Sequence, residues 1–380
     1  MPDVTDRAPC VAIVGAGQLA RMTQRAAIDL GVQLRVLAAG PGDAAVRAGA
    51  AHVTGRPDEL ADLRALAAGA DVVTFDHEHA PGELLARLEA DGIRLAPGAS
   101  AKRLAQDKLH ARQTLSDRGY PVPPFAAAQA AVDVTRFAAA HGWPLVAKTP
   151  TGGYDGRGVL VLADASQAAA ALDGTARTLL LEPLLPLERE LAVVTARTAS
   201  GEHAAYAVAE TVQRDGMCRE VLVPAPIDPV LAAEARDMAL AITDAAGAVG
   251  VVAVELFVTR GRLLVNELAL RPHNSGHFTI EGAETSQFEQ HLRAVLGWPL
   301  GVTDLTAPAV AMVNVVGPAD GSDPRVRLPQ ALTVRGAHVH LYDKAPAPGR
   351  KLGHVTARAL TLPHARETAR RAAEILEGGW

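Results

Sequence analysis

The sequence predicts an α/β segment followed by an α+β segment. Three observations carry this: short apolar runs that alternate with helical patterns up to about residue 97, a proline-stiffened break at residues 120–125, and a change after Pro144 to short strands punctuated by glycine turns. Apolar runs fall at residues 11–14, 34–37, 51–54 and 71–75, with a helix from the first of them to about Leu30, so this part reads as βαβ units of a parallel sheet. Pro97 and Gly98 interrupt the pattern, and residues 99–118 read as one amphipathic helix ending at Gly119. Pro121, Pro123 and Pro124 hold the next stretch out of helical conformation, which marks a boundary. Strand-like runs follow at 145–148, 159–162, 178–182, 191–198 and 203–209. A helix over 228–246 separates them from strands at 249–258 and 263–268, joined by a tight turn at Arg260, Gly261 and Arg262. The last segment has strand-like runs at 310–315 and 338–342 and a helix over 362–376. The alanine-rich stretches 126–131 and 168–171 read as helix or loop filler, and there is no internal repeat.

Composition narrows the function classes. With 380 residues, 49% hydrophobic and 21% charged, the chain can bury two or three cores without staples. A formal net charge of -5 provides no basic field to gather nucleic acid or anionic lipid. No apolar run approaches the roughly 18 residues of a membrane span. The first nine residues carry Asp3, Asp6 and Arg7 and lack the pattern of a signal peptide, so a cytoplasmic location is expected. Cys10 and Cys218 lie far apart in different segments and suggest neither a disulfide nor a metal site.

Residues Gly15, Ala16, Gly17, Gln18, Leu19 and Ala20 fit a dinucleotide-binding fingerprint, following a strand and opening a helix. Such a site also wants an acid at the end of the second strand to hold the ribose. That strand runs through Leu37 into Ala38, Ala39 and Gly40 with no Asp or Glu. Three readings stay open: a nicotinamide cofactor, a turn needed only for packing, or a phosphate or substrate contact of another kind.

The most informative segment is the hairpin at 252–268. A turn centred on Gly261 sets Glu255 directly opposite Glu267, with side-chain origins about 5 Å apart on one face. Two facing carboxylates among apolar residues repel, and a divalent cation shared with phosphate oxygens removes that cost; magnesium suits the donor set. A solvated hairpin with both acids in water is the plainer alternative. Asn266 belongs to the opposite face of an ideal strand, so it reaches the same site only through a bulge or a shifted register. The loop at 151–158 offers many backbone N–H groups and Arg157 to a phosphate chain, but lacks the Gly-Lys-Ser/Thr ending of a P-loop. Lys148, amid apolar neighbours on the preceding strand, seeks an anion unless it lies on an exposed edge. Glu182 ends a strand and leads through Pro183, Leu184 and Leu185 to Glu190, a hinge whose backbone could hold an adenine edge and whose Glu190 could hold ribose hydroxyls.

The order of lysine, glycine loop, hinge glutamates and paired acids resembles the ATP-grasp superfamily, in which two α+β lobes clamp ATP and metal. Within it the chain resembles the N5-carboxyaminoimidazole ribonucleotide synthase family. The segments that carry the likeness are GAGQLARM at 15–22, VTFDHEH at 73–79, GGYDGRG at 152–158, NELALRPHNSGH at 266–277, TSQFEQHLR at 285–293 and PGRKLGH at 348–354. They span nearly the whole chain, and the 271–277 and 286–291 runs are highly specific.

The resemblance implies a Rossmann-like N-terminal domain at 1–107, a two-lobed ATP-grasp domain at 108–300 and a small C-terminal domain at 301–380. It implies ATP- and magnesium-dependent carboxylation of 5-aminoimidazole ribonucleotide by bicarbonate through carboxyphosphate, in purine biosynthesis, by a cytoplasmic homodimer. Carried over by position, Lys108, Lys148, Gly153, Tyr154, Asp155, Gly156, Arg157, Gly158 and Val159 would bind ATP, with Glu182, Pro183, Leu184, Leu185, Glu190, Gln213, Asn266 and Glu267. Glu255 and Glu267 would hold magnesium. Tyr154, Asp155, Arg157, Arg271, His273, Asn274 and Lys344 would serve catalysis, Asp155 as a candidate proton acceptor. Gln18, Leu19, Glu78, Arg271, Lys344, Arg350 and Lys351 would bind the ribonucleotide. Val159, Gln213 and Leu270 stand where the family commonly has Gln, His and Pro. Rival readings are another ATP-grasp ligase such as the formate-dependent purine transformylase, a nicotinamide oxidoreductase, and a noncatalytic ATP-binding protein.

Overall fold

Among the described residues three sheets, each built from strands consecutive in the chain, organise the protein. The computed structural model describes residues 7–153, 158–172 and 178–379. The first sheet is parallel, with β1 (Cys10–Val14), β2 (Gln33–Ala38), β3 (Ala51–Thr54) and β4 (Val72–Phe75) in the order β3-β2-β1-β4. β1 and β4 are buried throughout, as expected of apolar runs sandwiched between helices. Strand order reverses between β1 and β4, so the crevice beyond their carboxyl ends is the natural ligand side of this sheet. There the turn after β1 meets residues 76–79.

The second sheet comprises β5 (Ala126–Ala128), β6 (Leu145–Lys148), β7 (Val159–Leu162) and β8 (Leu179–Pro183), in the order β5-β8-β6-β7 with antiparallel pairing. Period-two alternation on β6 sends Leu145 and Ala147 into a core under the helices Ala131–His141 and Ala165–Leu172, while Val146 and Lys148 face a cleft.

Among the described residues the third sheet has nine strands: β9 (Arg189–Arg197), β10 (His203–Ala205), β11 (Ala209–Arg214), β12 (Met217–Val223), β13 (Gly250–Thr259), β14 (Arg262–Ala269), β15 (Ala309–Val316), β16 (Ala337–Leu341) and β17 (Lys351–Ala359). Their order is β14-β13-β9-β11-β12-β15-β17-β16, with β10 beside β9. The C-terminal strands therefore continue the sheet that holds the acidic hairpin. The helix Leu362–Glu377 covers them and forms a small core of its own, in which Ala369 and Leu376 meet Val313 and Val355. The helix Gln287–Leu296 belongs in sequence to the middle of the chain but packs Leu292 and Val295 under the first sheet. Its His291 Nε2 lies 2.8 Å from Thr74 Oγ1 on β4.

Several sequence expectations need correction. Residues 99–118 form two helices, Ala99–Gln106 and Lys108–Asp117, because Asp107 turns extended and its Oδ1 accepts hydrogen bonds from Leu109 N and His110 N, each at 3.0 Å. A short acidic side chain competes in this way for the amides of a new helix start. The cap places Lys108 at the first turn of the second helix. Asp107→Ala is expected to cost about 1 kcal/mol in denaturant unfolding and to raise the KM for ATP. The stretch 126–131 is strand β5 followed by a helix start, not filler. Strands β12 and β17 and the helices Ala131–His141 and Gln287–Leu296 carried no signal strong enough to be read.

Candidate active site

The three sheets meet around one cleft of about 1570 Å³. Its floor is the β13–β14 hairpin. Glu255 pairs directly with Glu267, and the register then slips, so that Leu256 faces Val265 and Asn266 is the extra residue of a bulge. The bulge is the device that the sequence demanded for Asn266 to share the site: Asn266 lines the cleft, and its Oδ1 accepts from Lys148 Nζ at 3.2 Å. Lys108 Nζ lies 3.0 Å from Glu267 Oε1.

The carboxyl of Glu255 is pushed up to about 8, first by burial, then by Glu267 and Glu190, against the pull of Lys108 and Lys351. This is the electrostatic cost that a cation would relieve. Among the described residues no group of three or more His, Cys, Asp or Glu could hold a metal. Two protein carboxylates completed by phosphate oxygens and water are the usual way of holding magnesium, so the donor set fits. A carboxyl whose pKa is higher folded than unfolded stabilises the fold only while protonated. Its contribution is complete below the ordinary value of 4.5 and is lost as pH rises through about 8. In chelator, Tm is expected to fall across that window relative to Glu255→Gln, and magnesium with nucleotide to restore it. Parallel Tm profiles for the two proteins would show that Glu255 is not raised in the folded protein.

The wall beside the hairpin is built around Glu182, which is buried. Its Oε2 meets Lys148 Nζ at 2.7 Å, and its Oε1 pairs with Arg112, which is itself buried and donates to Val265 O at 2.5 Å. Lys148 is thereby held between Glu182 and Asn266, facing the cleft rather than an open edge. Pro183, Leu184 and Leu185 follow along the lining. Glu190 is raised by burial, an effect tempered by a hydrogen bond from Gln213 and by Lys148. Gly153 and Val159 line the opposite lip. Gly158 has φ +78°, and a Cβ there would come within 2.5 Å of Thr149 Oγ1, so the loop end requires glycine. Tyr154, Asp155, Gly156 and Arg157 lie outside the described residues.

The far end is supplied by the first sheet and the C-terminal strands. Arg271 Nε donates to Glu78 Oε1 at 3.0 Å, and Glu78 Oε2 pairs with the fully buried Lys102. Lys344 pairs with Gln18 Oε1. Arg350 and Lys351 line the same end, Lys351 as the first residue of β17. Leu19 touches the cleft but is mostly core, packed with Met22, Phe288 and Tyr342. His273 is lowered to about 3 by burial and by the charges of Arg271 and Lys351, so its ring is neutral 3.7 Å from Glu255 Oε1. Asn274 exchanges amide hydrogen bonds of 2.8 Å with Asn314.

The glycine turn after β1 is already filled. Gly17 N donates to Asp76 Oδ2 at 2.7 Å, and a Cβ on Gly15 would sit 1.8 Å from Asp76 Oδ1. An internal carboxylate thus occupies the place of a dinucleotide pyrophosphate, which removes the nicotinamide reading. Asp76, Lys102 and Arg112 were missed from sequence. Only Lys102 left a clue, as a lysine among the buried positions of an amphipathic helix.

Comparison with known proteins adds to this geometry. Family models described as the Ribonucleotide synthetase preATP-grasp domain, the ATP-grasp domain and the Phosphoribosylaminoimidazole carboxylase C-terminal domain match residues 9–106, 113–288 and 310–368. The N5-carboxyaminoimidazole ribonucleotide synthase of Mycobacterium tuberculosis (strain ATCC 25618 / H37Rv) is 49% identical, over 98% of this chain and 89% of that protein. The crystal structure of N5-carboxyaminoimidazole ribonucleotide synthetase from Thermus thermophilus superposes with a TM-score of 0.87 at 38% identity, covering 96% of this chain and 98% of that one. The Aspergillus clavatus N5-carboxyaminoimidazole synthase in complex with ADP and 5-aminoimidazole ribonucleotide gives a TM-score of 0.89 at 31% identity, covering 98% and 99%.

Proposed function

The chain belongs to the N5-carboxyaminoimidazole ribonucleotide synthase family of ATP-grasp ligases, and from that premise we propose how its cleft divides the work. The protein is an ATP-dependent ligase that forms a carbon–nitrogen bond, carboxylating 5-aminoimidazole ribonucleotide in purine biosynthesis. The observation that carries the assignment of roles is the bulged hairpin. It gathers Glu255, Asn266 and Glu267 opposite Lys108 and Lys148, while Arg271, Lys344, Arg350 and Lys351 gather at the other end of the same cleft.

In this reading the triphosphate lies between the two lysines and the lip at 153–159, with the base against residues 182–185 and the ribose at Glu190. Glu255 and Glu267 would hold magnesium, which offsets charge on the phosphates when bound. Bicarbonate is a poor electrophile. Transfer of the γ-phosphoryl group to one of its oxygens gives carboxyphosphate and ADP. The exocyclic amine of the ribonucleotide then attacks the carboxyl carbon, phosphate leaves with the C–O bond electrons, and the amine proton passes to a base, for which Asp155 is the candidate. Lys108 and Lys148 offset the charge that builds during phosphoryl transfer. Arg350 and Lys351 suit the ribose phosphate, and Gln18, Leu19 and Glu78 complete that end. His273, neutral at working pH, serves as a hydrogen-bonding wall and not as a charge.

We infer the roles of Tyr154, Gly156 and Arg157, the division into regions at 1–107, 108–300 and 301–380, the homodimer and the cytoplasmic location from the sequence and its resemblance to the family. Among the described residues no helix is long and apolar enough to cross a membrane. Purified protein is expected to release phosphate from ATP only with bicarbonate and 5-aminoimidazole ribonucleotide both present. Equal turnover with formate would overturn the substrate assignment.

A further inference from the structure

Gln287 takes no part in the cleft lining, yet three hydrogen bonds connect its side chain to the loop that carries Arg271, His273 and Asn274. Its Oε1 accepts from His273 N at 2.9 Å and its Nε2 donates to His273 O at 2.8 Å. The second Nε2 proton is directed to His277 Nδ1 at 3.0 Å. The amide thus acts on His273 as a neighbouring strand would, closing both backbone groups of one residue. Its orientation is fixed, because a flipped amide would set its NH2 group against the His273 N–H. His277 is buried and burial pushes it well below its ordinary value, so its ring is neutral, and its Nδ1 accepts in the tautomer that carries the proton on Nε2.

The surroundings are built to this amide. Gln287 is fully buried. Gly276 passes so close that a Cβ there would lie 2.3 Å from Gln287 Oε1. Thr279 Oγ1 accepts from Gln287 N at 2.8 Å and donates to Gly276 O at 2.6 Å, tying both sides together. Gln287 also opens the helix whose Leu292 and Val295 lie under the first sheet. The loop is therefore referenced to the body that supplies Gln18 and Glu78.

We propose that Gln287 is a positioning residue for the carboxyl-transfer half of the reaction: its amide fixes the main chain at His273 and thereby sets where Arg271 and Asn274 present their side chains. The inference rests on the reading of the cleft given above. The ATP end, built on Lys108, Lys148 and Glu182, makes no hydrogen bond to this amide; the link between them is the His273 ring, 3.7 Å from Glu255 Oε1. Losing Gln287 separates the two halves: nucleotide still binds, while activated bicarbonate meets a misplaced acceptor and is lost to water.

The test is steady-state kinetics of the full-length protein, with phosphate and carboxylated product measured together. Gln287→Met keeps the volume and removes all three bonds. It is expected to lower kcat/KM for the ribonucleotide about 10²-fold, the scale of a misplacement near 1 Å. KM for ATP should stay within about twofold, and phosphate released per product should rise several-fold above one. Gln287→Glu, which keeps the acceptor and loses both donated bonds, carries the same expectation and is read if the Met variant is recovered unfolded. Gly276→Ala should reproduce the defect by pushing the amide aside. Combining Gly276→Ala with Gln287→Ala removes the clash and should recover Tm without recovering activity. Wild-type kcat/KM in Gln287→Met or Gln287→Glu, equal losses toward ATP and ribonucleotide, or activity regained in the double variant would overturn the proposal. Wild type in the same assay separates the two claims: without bicarbonate- and ribonucleotide-dependent turnover the functional reading falls, whereas normal wild-type turnover beside unaffected variants removes only the role of Gln287.

Discussion

Replacing Glu255 and Glu267 together by Gln is expected to lower carboxylation by roughly 10³-fold and to weaken ATP binding in magnesium. The amides preserve size and the bulged register but present neutral oxygens where the cation and phosphates need charge. The same change should stabilise the ligand-free protein at pH 8, because it removes a carboxylate that burial first, and then the charges of Glu267 and Glu190, make costly to ionise. Lys108, which meets Glu267 at 3.0 Å, loses its partner and moderates that gain. Loss of activity with a rise in Tm is a signature that damage to the fold does not produce. Titration of ATP in magnesium against wild type and the double variant decides the matter: unchanged affinity would mean that these carboxylates do not hold the metal.

Lys102→Met is expected to cost about 3 kcal/mol of stability, near the lower end for breaking a buried ion pair because Glu78 keeps 24% of its side chain exposed to the cleft. The ammonium is fully buried, donates to His77 O at 3.0 Å and lies 4.8 Å from the centre of the Phe75 ring. Burial alone would raise Glu78, but Lys102 and Arg271 together hold it below the ordinary carboxylate value. Such a group stabilises the fold above its unfolded pKa, and the contribution is lost as pH falls through the folded one. The variant should therefore lose most at neutral pH and converge on wild type in acid. Arg271 keeps Glu78 but no longer meets a fixed partner, so KM for the ribonucleotide should rise more than KM for ATP. Chemical unfolding from about pH 2 to 8, with both KM values at pH 7.5, checks this, because the window lies below the ordinary Glu value of 4.5; a loss that stays uniform into acid would show that Lys102 contributes packing alone.

Much of the fold was legible because local signals agreed with tertiary outcome. The turn at Gly261 fixed the register of the hairpin, and Glu255 does face Glu267. Alternating apolar runs and glycine turns located the first sheet and the strands before and after the 153–158 loop. What escaped depends on contacts between segments distant in the chain. Strand β17 begins with Lys351 and contains His354 and Arg358, and it is buried only because β15 and β16 pair on either side. The bulge at Asn266 could be stated as a requirement but not located, since nothing local distinguishes a bulged strand from a regular one. Asp76 filling the glycine turn, and Arg112 behind Glu182, are side chains whose partners lie 59 and 70 residues away, beyond the reach of any periodicity. Asp107 shows the reverse case: its capping chemistry was local, but the apolar period running across it concealed the break.

The pairing of β12 with β15, from Glu220 opposite Val313 to Val223 opposite Val310, has a consequence for how the molecule can be divided. A chain ending before Ala309 would retain the acidic hairpin and both lysines, yet it would leave the backbone of β12 as a bare edge with Leu222 uncovered. Such an edge recruits the strands of other molecules. The segment from Ala309 onward thus acts as a built-in guard against self-association, and a minimal nucleotide-binding fragment cut there is expected to aggregate rather than bind.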